Sequence, residues 1–333
     1  MENREHEKEL LMKVLITGNL PEEVLALIQK EHEIVFHPEN RPLDRNRLLA
    51  MVADREGLLC MITDRVDVAL MKEASGLRMI ANFGVGFDNI DVGAASDRGI
   101  LVSNTPDVLT DATADLTLTL MLAVARRVLE GDRMTRAGEF RFWAPMHFLG
   151  QEVSGKTLGI IGLGRIGRAV ARRAKGFHME ILYHSRRRLG SVHEKDLGVT
   201  YCELDKLLAR SDFVSMHVPL TSVTHHLIGR EELAMMRSSA YLINTSRGPV
   251  VDEEALLVAL RDGVIAGAGL DVYEHEPDLT PGLAGLQNVL LLPHVGSATI
   301  ETRTNMGLRA ARNLMAGLRG ERPPDCLNWG KPQ

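Results

Sequence analysis

The stretch Thr157-Leu158-Gly159-Ile160-Ile161-Gly162-Leu163-Gly164-Arg165-Ile166-Gly167 decides the fold. Its apolar first half predicts a buried strand, and the run that follows it continues to Ala174 with helical spacing. The glycines have the spacing G-x-G-x-x-G: Gly162 permits a tight turn, Gly164 lets the backbone approach a pyrophosphate, and Gly167 lets helix and strand pack closely. The helix N-terminus offers unpaired N–H groups and a positive dipole end. The stretch therefore predicts a dinucleotide-binding turn.

Strand and helix patterns alternate on both sides of this stretch. The predicted strands are 13–17, 33–36, 57–61, 79–82 and 100–102 before it, and 158–161, 181–183, 213–217, 240–244, 266–272 and 289–292 within and after it. Amphipathic segments separate the strands, and such alternation predicts parallel sheets covered by helices on both faces. We expect an α/β protein with two parallel-sheet units, one of which carries the glycine stretch.

Three longer segments complete this outline. We predict one helix over 109–129, with Arg126 and Arg127 in its last turn, where cations are favourable. A polar, irregular stretch is expected over 131–155. The last helix is predicted over 298–318, ended by Gly320.

The residues after the strand at 181–183 bear on the choice of nicotinamide cofactor. An acidic residue at this strand end would bind the 2′-hydroxyl of NAD, but Ser185 stands there and Arg186, Arg187 and Arg188 follow. Guanidinium groups suit a 2′-phosphate, although most runs of charge are only solvated. The missing carboxylate favours NADP, and NAD remains possible.

Three chemically capable side chains follow strands in the second half of the chain. Arg247 comes after 240–244, Glu276 lies in the loop after 266–272, and His294 follows 289–292. Reduction of a ketone by hydride needs a proton donor, and histidine is suited to this near neutral pH. A carboxylate would orient the imidazole and favour its protonated form, while an arginine would hold a substrate carboxylate or a polarised carbonyl. Together they predict a reductase site.

Composition limits the other functions. The chain has 333 residues, 45% apolar, 25% charged and 4% aromatic, with a net charge of -5, so we expect neither a nucleic-acid nor a membrane partner. No apolar run reaches the ~20 residues of a membrane helix, and the N-terminus shows no secretory signal pattern. The cysteines Cys60, Cys202 and Cys326 lack metal-ligand spacing, so we predict no metal site and a cytoplasmic location.

Several ordered motifs resemble the D-2-hydroxyacid dehydrogenase family, and most of all its glyoxylate/hydroxypyruvate reductase branch. They cover the chain after a short polar tail, 1–11. The motifs are the segments 82–91 and 104–110, the glycine stretch, His217-Val218-Pro219-Leu220-Thr221, Asn244-Thr245-Ser246-Arg247-Gly248 with 250–252, and the segments 270–277 and 293–299.

The resemblance implies a role for each matching residue. His294 is similar to the family's acid/base histidine, Glu276 to the carboxylate paired with it, and Arg247 to the substrate-binding arginine. Val85 and Gly86 resemble the loop whose N–H groups bind the substrate carboxylate. The residues implied to contact the cofactor are Thr113, Gly162, Gly164, Arg165, Ile166, Gly167, Ser185, Arg186, Arg187, Val218, Pro219, Thr224, Thr245, Asp271 and His294. Among these, Asp271 is similar to the residue that holds the nicotinamide carboxamide.

The resemblance also implies the domain organisation. A substrate-binding domain would comprise 12–106 together with 296–333, and a Rossmann-like cofactor domain would comprise 107–295. The active site would lie in the cleft between them, and the protein would be a homodimer held through the cofactor domain.

Three other interpretations remain open. The substrate could be another 2-keto acid, such as 2-ketogluconate or pyruvate, because sequence alone does not define the pocket. A cofactor-sensing regulator of the same fold is disfavoured, because the residues needed for catalysis are intact. A dinucleotide-dependent hydrolase of similar architecture would need more chain and other catalytic groups.

Overall fold

A computed structural model of the chain describes residues 11–330, so the predicted tail lies outside the described residues except for Leu11. The chain divides into two compact units. Unit 1 is Met1–Leu109 with Thr299–Gln333, of which 11–109 and 299–330 are described, and unit 2 is Thr110–Ala298.

Parallel strands alternate with helices along nearly the whole described chain. The strands are β1 (Met12–Ile16), β2 (His32–Phe36), β3 (Gly57–Met61), β4 (Met79–Phe83), β5 (Leu101–Ser103), β6 (Thr157–Ile161), β7 (Glu180–His184), β8 (Thr200–Tyr201), β9 (Phe213–Met216), β10 (Tyr241–Asn244), β11 (Gly267–Leu270) and β12 (Val289–Leu291). The helices are α1 (Glu22–Gln29), α2 (Arg45–Val52), α3 (Val68–Glu73), α4 (Val92–Ser96), α5 (Thr110–Ala125), α6 (Val128–Arg136), α7 (Arg165–Ala174), α8 (Ser191–Leu197), α9 (Leu204–Arg210), α10 (Arg230–Met235), α11 (Glu253–Arg261) and α12 (Ile300–Leu318).

Unit 1 contains a five-stranded parallel sheet in the order β2-β1-β3-β4-β5, which is the flavodoxin-like order. Leu15, Leu58 and Ile80 are fully buried in its core. The last helix, α12, returns to this unit and packs against α1 and β4. Glycines allow this close approach: a Cβ on Gly307 would lie 2.7 Å from the Val24 side chain.

Unit 2 contains a seven-stranded parallel sheet in the order β12-β11-β10-β9-β6-β7-β8. Counted from β6, this is the Rossmann order extended by one strand, and the direction of progression reverses between β6 and β9. Ligands of such sheets bind at the carboxyl ends of the strands beside this reversal. The predicted α/β class with two parallel-sheet domains is confirmed.

The prediction of one continuous helix over 109–129 is wrong only near its C-terminal end, where the helix breaks after Ala125. Helix α5 ends at Ala125, and Arg127 adopts the left-handed conformation with φ +54°. Helix α6 then continues to Arg136, into the stretch predicted to be irregular. The apolar periodicity runs across the break, so it does not reveal it. Strand β8 was missed because it has only two residues at the sheet edge.

Within residues 11–330, no helix is both long and apolar enough to cross a membrane. The three cysteines form no disulfide; Cys60 and Cys202 are buried and Cys326 is partly exposed.

Candidate active site

The glycine stretch adopts the geometry that a bound dinucleotide requires. Gly162 follows β6 with φ +97°, and a Cβ there would lie 2.5 Å from the carbonyl oxygen of His217. A Cβ on Gly167 would overlap the carbonyl oxygen of Gly162. A Cβ on Gly164, in contrast, would meet no atom within 4 Å. The first and third glycines are therefore needed by the backbone, while the second leaves open space where a diphosphate could approach.

Helix α7 begins directly after this open space. Gly164 is its N-cap and supplies no side-chain cap, so the first N–H groups of the helix have no capping partner of the usual kind. Arg165 and Ile166, both predicted cofactor contacts, form the first helical positions. The amide groups and the helix dipole together favour an anion at this point. These residues fit the pyrophosphate of a nicotinamide dinucleotide.

The turn after β7 divides the three arginines into two groups. Arg188 forms hydrogen bonds of 2.9 and 3.0 Å to Glu194 and lies over the ring of Tyr201. Its guanidinium group is therefore already bound within the protein. Arg186 and Arg187 are exposed, and they form no ion pair with any described residue. Ser185 Oγ donates to the carbonyl oxygen of Arg187 over 2.6 Å and shapes the turn.

The loop after β9 lies beside the glycine turn. The carbonyl of His217 is the group nearest to a Cβ at Gly162, so the two predicted cofactor segments are adjacent. Burial lowers the pKa of His217 to about 3, and its Nε2 is 2.8 Å from Ser215 Oγ, so it is a neutral structural residue. Farther along, Thr224 Oγ1 donates to the carbonyl of Pro219 over 2.6 Å and closes the predicted adenosine loop.

His294 and Glu276 form the central pair of the site. His294 Nδ1 is 2.8 Å from Glu276 Oε2, and the N–H of Tyr273 donates to the other carboxylate oxygen over 2.9 Å. Burial alone would raise the pKa of Glu276, but the hydrogen bond from His294 and the positive charges of His294 and Arg247 lower it below its usual range. An ionised carboxylate at Nδ1 fixes the imidazole with a proton on that nitrogen. The other nitrogen, Nε2, contacts no described polar group.

Asp271 positions the loop that carries His294. Its two carboxylate oxygens accept hydrogen bonds of 2.7 Å from the N–H groups of Val295 and Gly296. His294 itself has φ +53°, a conformation that few non-glycine residues adopt. The side chain of Thr113 donates to the carbonyl of Gly296 over 3.2 Å. The residues predicted at the nicotinamide end, Thr113, Asp271 and His294, therefore lie together.

Arg247 lies in a turn that Asn244 shapes. The side chain of Asn244 donates to the carbonyl of Arg247 over 2.9 Å, and its oxygen accepts from the N–H of Ser246 over 3.0 Å. A Cβ on Gly248 would overlap the backbone of Tyr273, so this turn packs directly against the loop of Glu276. The charge of Arg247 is close enough to contribute to the lowered pKa of Glu276. The structure thus brings together all three predicted catalytic residues.

Thr245 links the same turn to helix α5. Its Oγ1 is 2.9 Å from Thr117 Oγ1, and both side chains are buried. Thr117 in turn donates to the carbonyl of Thr113 over 2.8 Å. The predicted cofactor residues Thr113 and Thr245 are therefore connected through one intervening hydroxyl.

Val85 and Gly86, the predicted substrate loop, follow β4 in unit 1. Their carbonyl oxygens accept hydrogen bonds of 2.8 Å from Asn104 and 2.7 Å from Asn82. Across residues 11–330, their own N–H groups donate to no other group. Neither asparagine side chain was predicted to have a role. A polar residue inside the apolar run of β4 is the signal that could have singled out Asn82.

Residues 118–296 match the family described as D-isomer specific 2-hydroxyacid dehydrogenase, NAD binding domain. The glyoxylate reductase of Thermococcus litoralis is 50% identical to this chain over 320 residues, which are 95% of this chain and 96% of that protein.

Solved structures are similar over the same extent. A crystal structure from Thermus thermophilus has a TM-score of 0.89 at 45% identity and covers 95% of this chain and 100% of its own. An NADPH-dependent glyoxylate/hydroxypyruvate reductase from Sinorhizobium meliloti, in complex with NADP and malonate, has a TM-score of 0.83 at 34% identity. It covers 96% of this chain and 97% of its own.

Proposed function

Because this chain belongs to the D-isomer specific 2-hydroxyacid dehydrogenase family and is an NAD(P)-dependent oxidoreductase, we propose that it reduces glyoxylate or hydroxypyruvate to the 2-hydroxy acid. The family resemblance drawn from the motifs is confirmed. The observation that carries the proposal is the 2.8 Å contact of His294 with Glu276, with Arg247 beside it. The choice of substrate is supported by the names of the relatives from Thermococcus litoralis and Sinorhizobium meliloti.

The chain's own residues supply the proton and hold the substrate. We assign the proton to His294 Nε2, which donates it to the ketone oxygen while Nδ1 stays hydrogen-bonded to Glu276. The guanidinium of Arg247 would polarise the ketone oxygen and stabilise the charge that develops on it. A reduced nicotinamide cofactor, held by the glycine turn and the N-terminus of helix α7, would supply the hydride. Hydride and proton together convert the ketone of hydroxypyruvate into a secondary alcohol, or the aldehyde of glyoxylate into a primary alcohol.

The substrate carboxylate is assigned to the backbone of Val85 and Gly86. Two asparagine amides hold the carbonyl oxygens of this loop, while its N–H groups have no partner within the described residues. Backbone N–H groups of this kind suit an anionic oxygen. Because the donors belong to the main chain, they can bind the carboxylate of any 2-keto acid. The choice among substrates then depends on the part of the substrate beyond its keto carbon.

Steady-state rates with both cofactors test the proposed activity. The chain should oxidise NADPH with glyoxylate and with hydroxypyruvate, and pyruvate serves as a matched 2-keto acid with a methyl group. A preference for pyruvate or for 2-ketogluconate would assign another substrate to the same chemistry. Absence of turnover with every 2-keto acid and either cofactor would overturn the proposal and favour a regulator of this fold.

We propose that NADP(H) is preferred over NAD(H). The turn after β7 carries no carboxylate for a ribose 2′-hydroxyl, while Arg186 and Arg187 are exposed and unpaired among the described residues. Arg188 is occupied by Glu194 and does not take part. Two guanidinium groups would bind the additional phosphate of NADP through charge-assisted hydrogen bonds.

Replacing Arg186 should weaken the binding of NADPH and leave the binding of NADH nearly unchanged. We expect Arg186→Ala to raise the KM for NADPH about 10- to 100-fold, since a hydrogen bond to a charged group contributes ~1.5–3 kcal/mol. The KM for NADH should change less than ~2-fold, because NADH has no group at that place. Ser185→Asp is the complementary variant. It should lower the KM for NADH and raise the KM for NADPH. An equal loss for both cofactors in Arg186→Ala would make this arginine structural.

We propose that the protein is a homodimer formed through unit 2. An apolar arm, comprising Val128, Leu129, Phe140, Phe142, Trp143, Met146 and Leu149, exposes large side chains, with Trp143 79% and Met146 80% exposed. Beside its start lies a cavity of about 550 Å³, lined in part by Leu129, Tyr241 and Leu290. Exposed apolar surface of this extent is typical of an interface, and a second copy of this chain fits the family.

Light scattering tests the homodimer. The wild-type chain should have twice the mass of one chain, and a double variant Trp143→Arg with Met146→Glu should shift toward the monomer. Val192→Arg, a change at another exposed apolar residue, is the matched control and should stay dimeric. A monomeric wild type would contradict the proposal.

A cytoplasmic location also stays a proposal. It is supported by three cysteines that form no disulfide in the described residues and by a reaction that depends on reduced nicotinamide. Fractionation of the cells that produce the protein would test it.

A further inference from the structure

A second group of potential ligands lies in unit 2, apart from the catalytic pair. His225 and His226 belong to the loop between β9 and α10, and Glu274 belongs to the loop after β11. One ligand atom from each of the three residues lies within 4.8 Å of the others. His226 Nε2 is 2.6 Å from Glu274 Oε1, and the two imidazole rings stack with centroids 4.0 Å apart.

We propose that His225, His226 and Glu274 form a binding site for a first-row divalent transition-metal ion, with Zn²⁺ as the ion that fits best. Two imidazoles and one carboxylate suit Zn²⁺, whereas Mg²⁺ and Ca²⁺ prefer oxygen ligands. This site goes beyond the reductase activity and does not depend on it. No metal site was predicted from the spacing of the cysteines, and none of the three residues of this cluster is a cysteine.

The backbone around the cluster holds its ligands in place. Glu274 and Glu253 are joined twice: the N–H of Glu253 donates to Glu274 Oε2 over 3.1 Å, and the N–H of Glu274 donates to Glu253 Oε2 over 2.7 Å. Glu274 Oε1 is thereby left to His226. Such supporting hydrogen bonds orient metal ligands and reduce the cost of ordering them.

Hydrogen bonds also fix the backbone of the two histidines. The N–H of His226 donates to the carbonyl of Pro249 over 2.8 Å, and the N–H of His225 donates to the carbonyl of Thr221 over 2.9 Å. His226 has φ +50°, the left-handed conformation that few non-glycine residues adopt. This conformation places two consecutive imidazoles on one side of the loop, where an extended backbone would send them to opposite sides.

The distances allow a metal with small adjustments. Two ligands of a tetrahedral zinc ion lie about 3.4 Å apart, since Zn–N and Zn–O bonds are ~2.0–2.2 Å. The 2.6 Å contact between His226 and Glu274 would therefore open by less than ~1 Å, and the widest pair, which is no more than 4.8 Å apart, would close by at most ~1.4 Å. The side chain of His226 is 37% exposed and that of Glu274 is 14% exposed, so an ion can enter from solvent. Water would complete the fourth position.

Metal binding would join two loops that carry proposed reductase residues. His225 follows directly after Thr224 of the adenosine loop, and Glu274 lies two residues before Glu276. An ion bound to both loops stabilises the native state, because it binds the folded chain and not the separated ligands. The catalytic pair itself is the rival location, but it offers one imidazole and one carboxylate.

Titration of the chelator-treated, cofactor-free chain with Zn²⁺ and with Co²⁺ tests the site. We expect one ion per chain, intense visible Co²⁺ bands typical of four-coordination, and a rise in Tm on the order of 5 °C at 100-fold excess over Kd. His225→Ala and Glu274→Gln should each weaken binding at least ~10-fold. Glu274→Gln keeps the shape of the side chain and an acceptor for the N–H of Glu253.

Two control variants define the result. His193→Ala removes an exposed histidine on α8, and His294→Asn removes the imidazole of the catalytic pair; both should bind Co²⁺ as the wild type does. Absence of saturable binding in the wild type would overturn the proposal. Unchanged binding in both His225→Ala and Glu274→Gln would do the same, as would loss of the ion in His294→Asn alone, which would assign it to the catalytic pair.

Discussion

Replacement of His294 by asparagine should lower kcat for glyoxylate reduction by ~100-fold or more, which is the usual contribution of a general acid. Asparagine can still accept or donate a hydrogen bond, but it does not carry a proton that transfers near neutral pH. The 2.8 Å contact of His294 with Glu276 makes this imidazole the only described group of the site that combines a titratable proton with a carboxylate partner. Its loss removes the proton donor and leaves the hydride without a matching proton.

Cofactor binding separates this effect from a structural one. The His294 loop is held by Asp271 through the N–H groups of Val295 and Gly296, so it keeps its position without the imidazole. The Kd of NADPH, measured by its fluorescence, should therefore change little in the variant. If kcat stayed within a few-fold of wild type, His294 would have no part in proton transfer.

Glu276→Gln should also lower kcat strongly, by about 10²- to 10⁴-fold. A neutral amide can donate to Nδ1 of His294 and so stabilise the wrong tautomer. It also carries no negative charge that would stabilise the imidazolium. In the wild type the pKa of Glu276 lies below its usual range, so the carboxylate is ionised throughout the neutral range.

The pH profile distinguishes this role from simple packing. Reduction uses the protonated imidazole, so activity is present at low pH and is lost as the pH rises. Glu276→Gln removes the negative charge that faces Nδ1 of the imidazole, so the alkaline limb of the rate should move to lower pH. Glu274→Gln, two residues away and assayed with chelator present, is the control that should leave the limb in place. An unshifted limb in Glu276→Gln would reduce Glu276 to a packing residue.

Local sequence patterns predicted the features that depend on nearby residues. Gly162, Gly164 and Gly167 have their roles within one strand, turn and helix, and the structure gives each the environment that its role requires. Every predicted strand overlaps an observed one, because short buried runs between turns are a local signal. The break between α5 and α6 at Arg127 was not predicted, since apolar spacing continues on both sides of it.

Contacts between segments that are far apart in the sequence could not be predicted from local patterns. Asp271 holds the loop of His294 from 24 residues away, and His226 meets Glu274 across 48 residues. Only the order of the strands brings such segments to the same edge of the sheet. The family resemblance supplied His294, Glu276 and Arg247 as one set, whereas the residues taken singly were each compatible with an ordinary surface role.

The chirality of the product formed from hydroxypyruvate and NADPH tests the proposed reduction. We expect D-glycerate in an amount equal to the NADPH consumed, because the chain belongs to a family specific for the D isomer and His294 delivers one proton for each hydride. Formation of L-glycerate, or NADPH oxidation without glycerate, would contradict the proposed reaction.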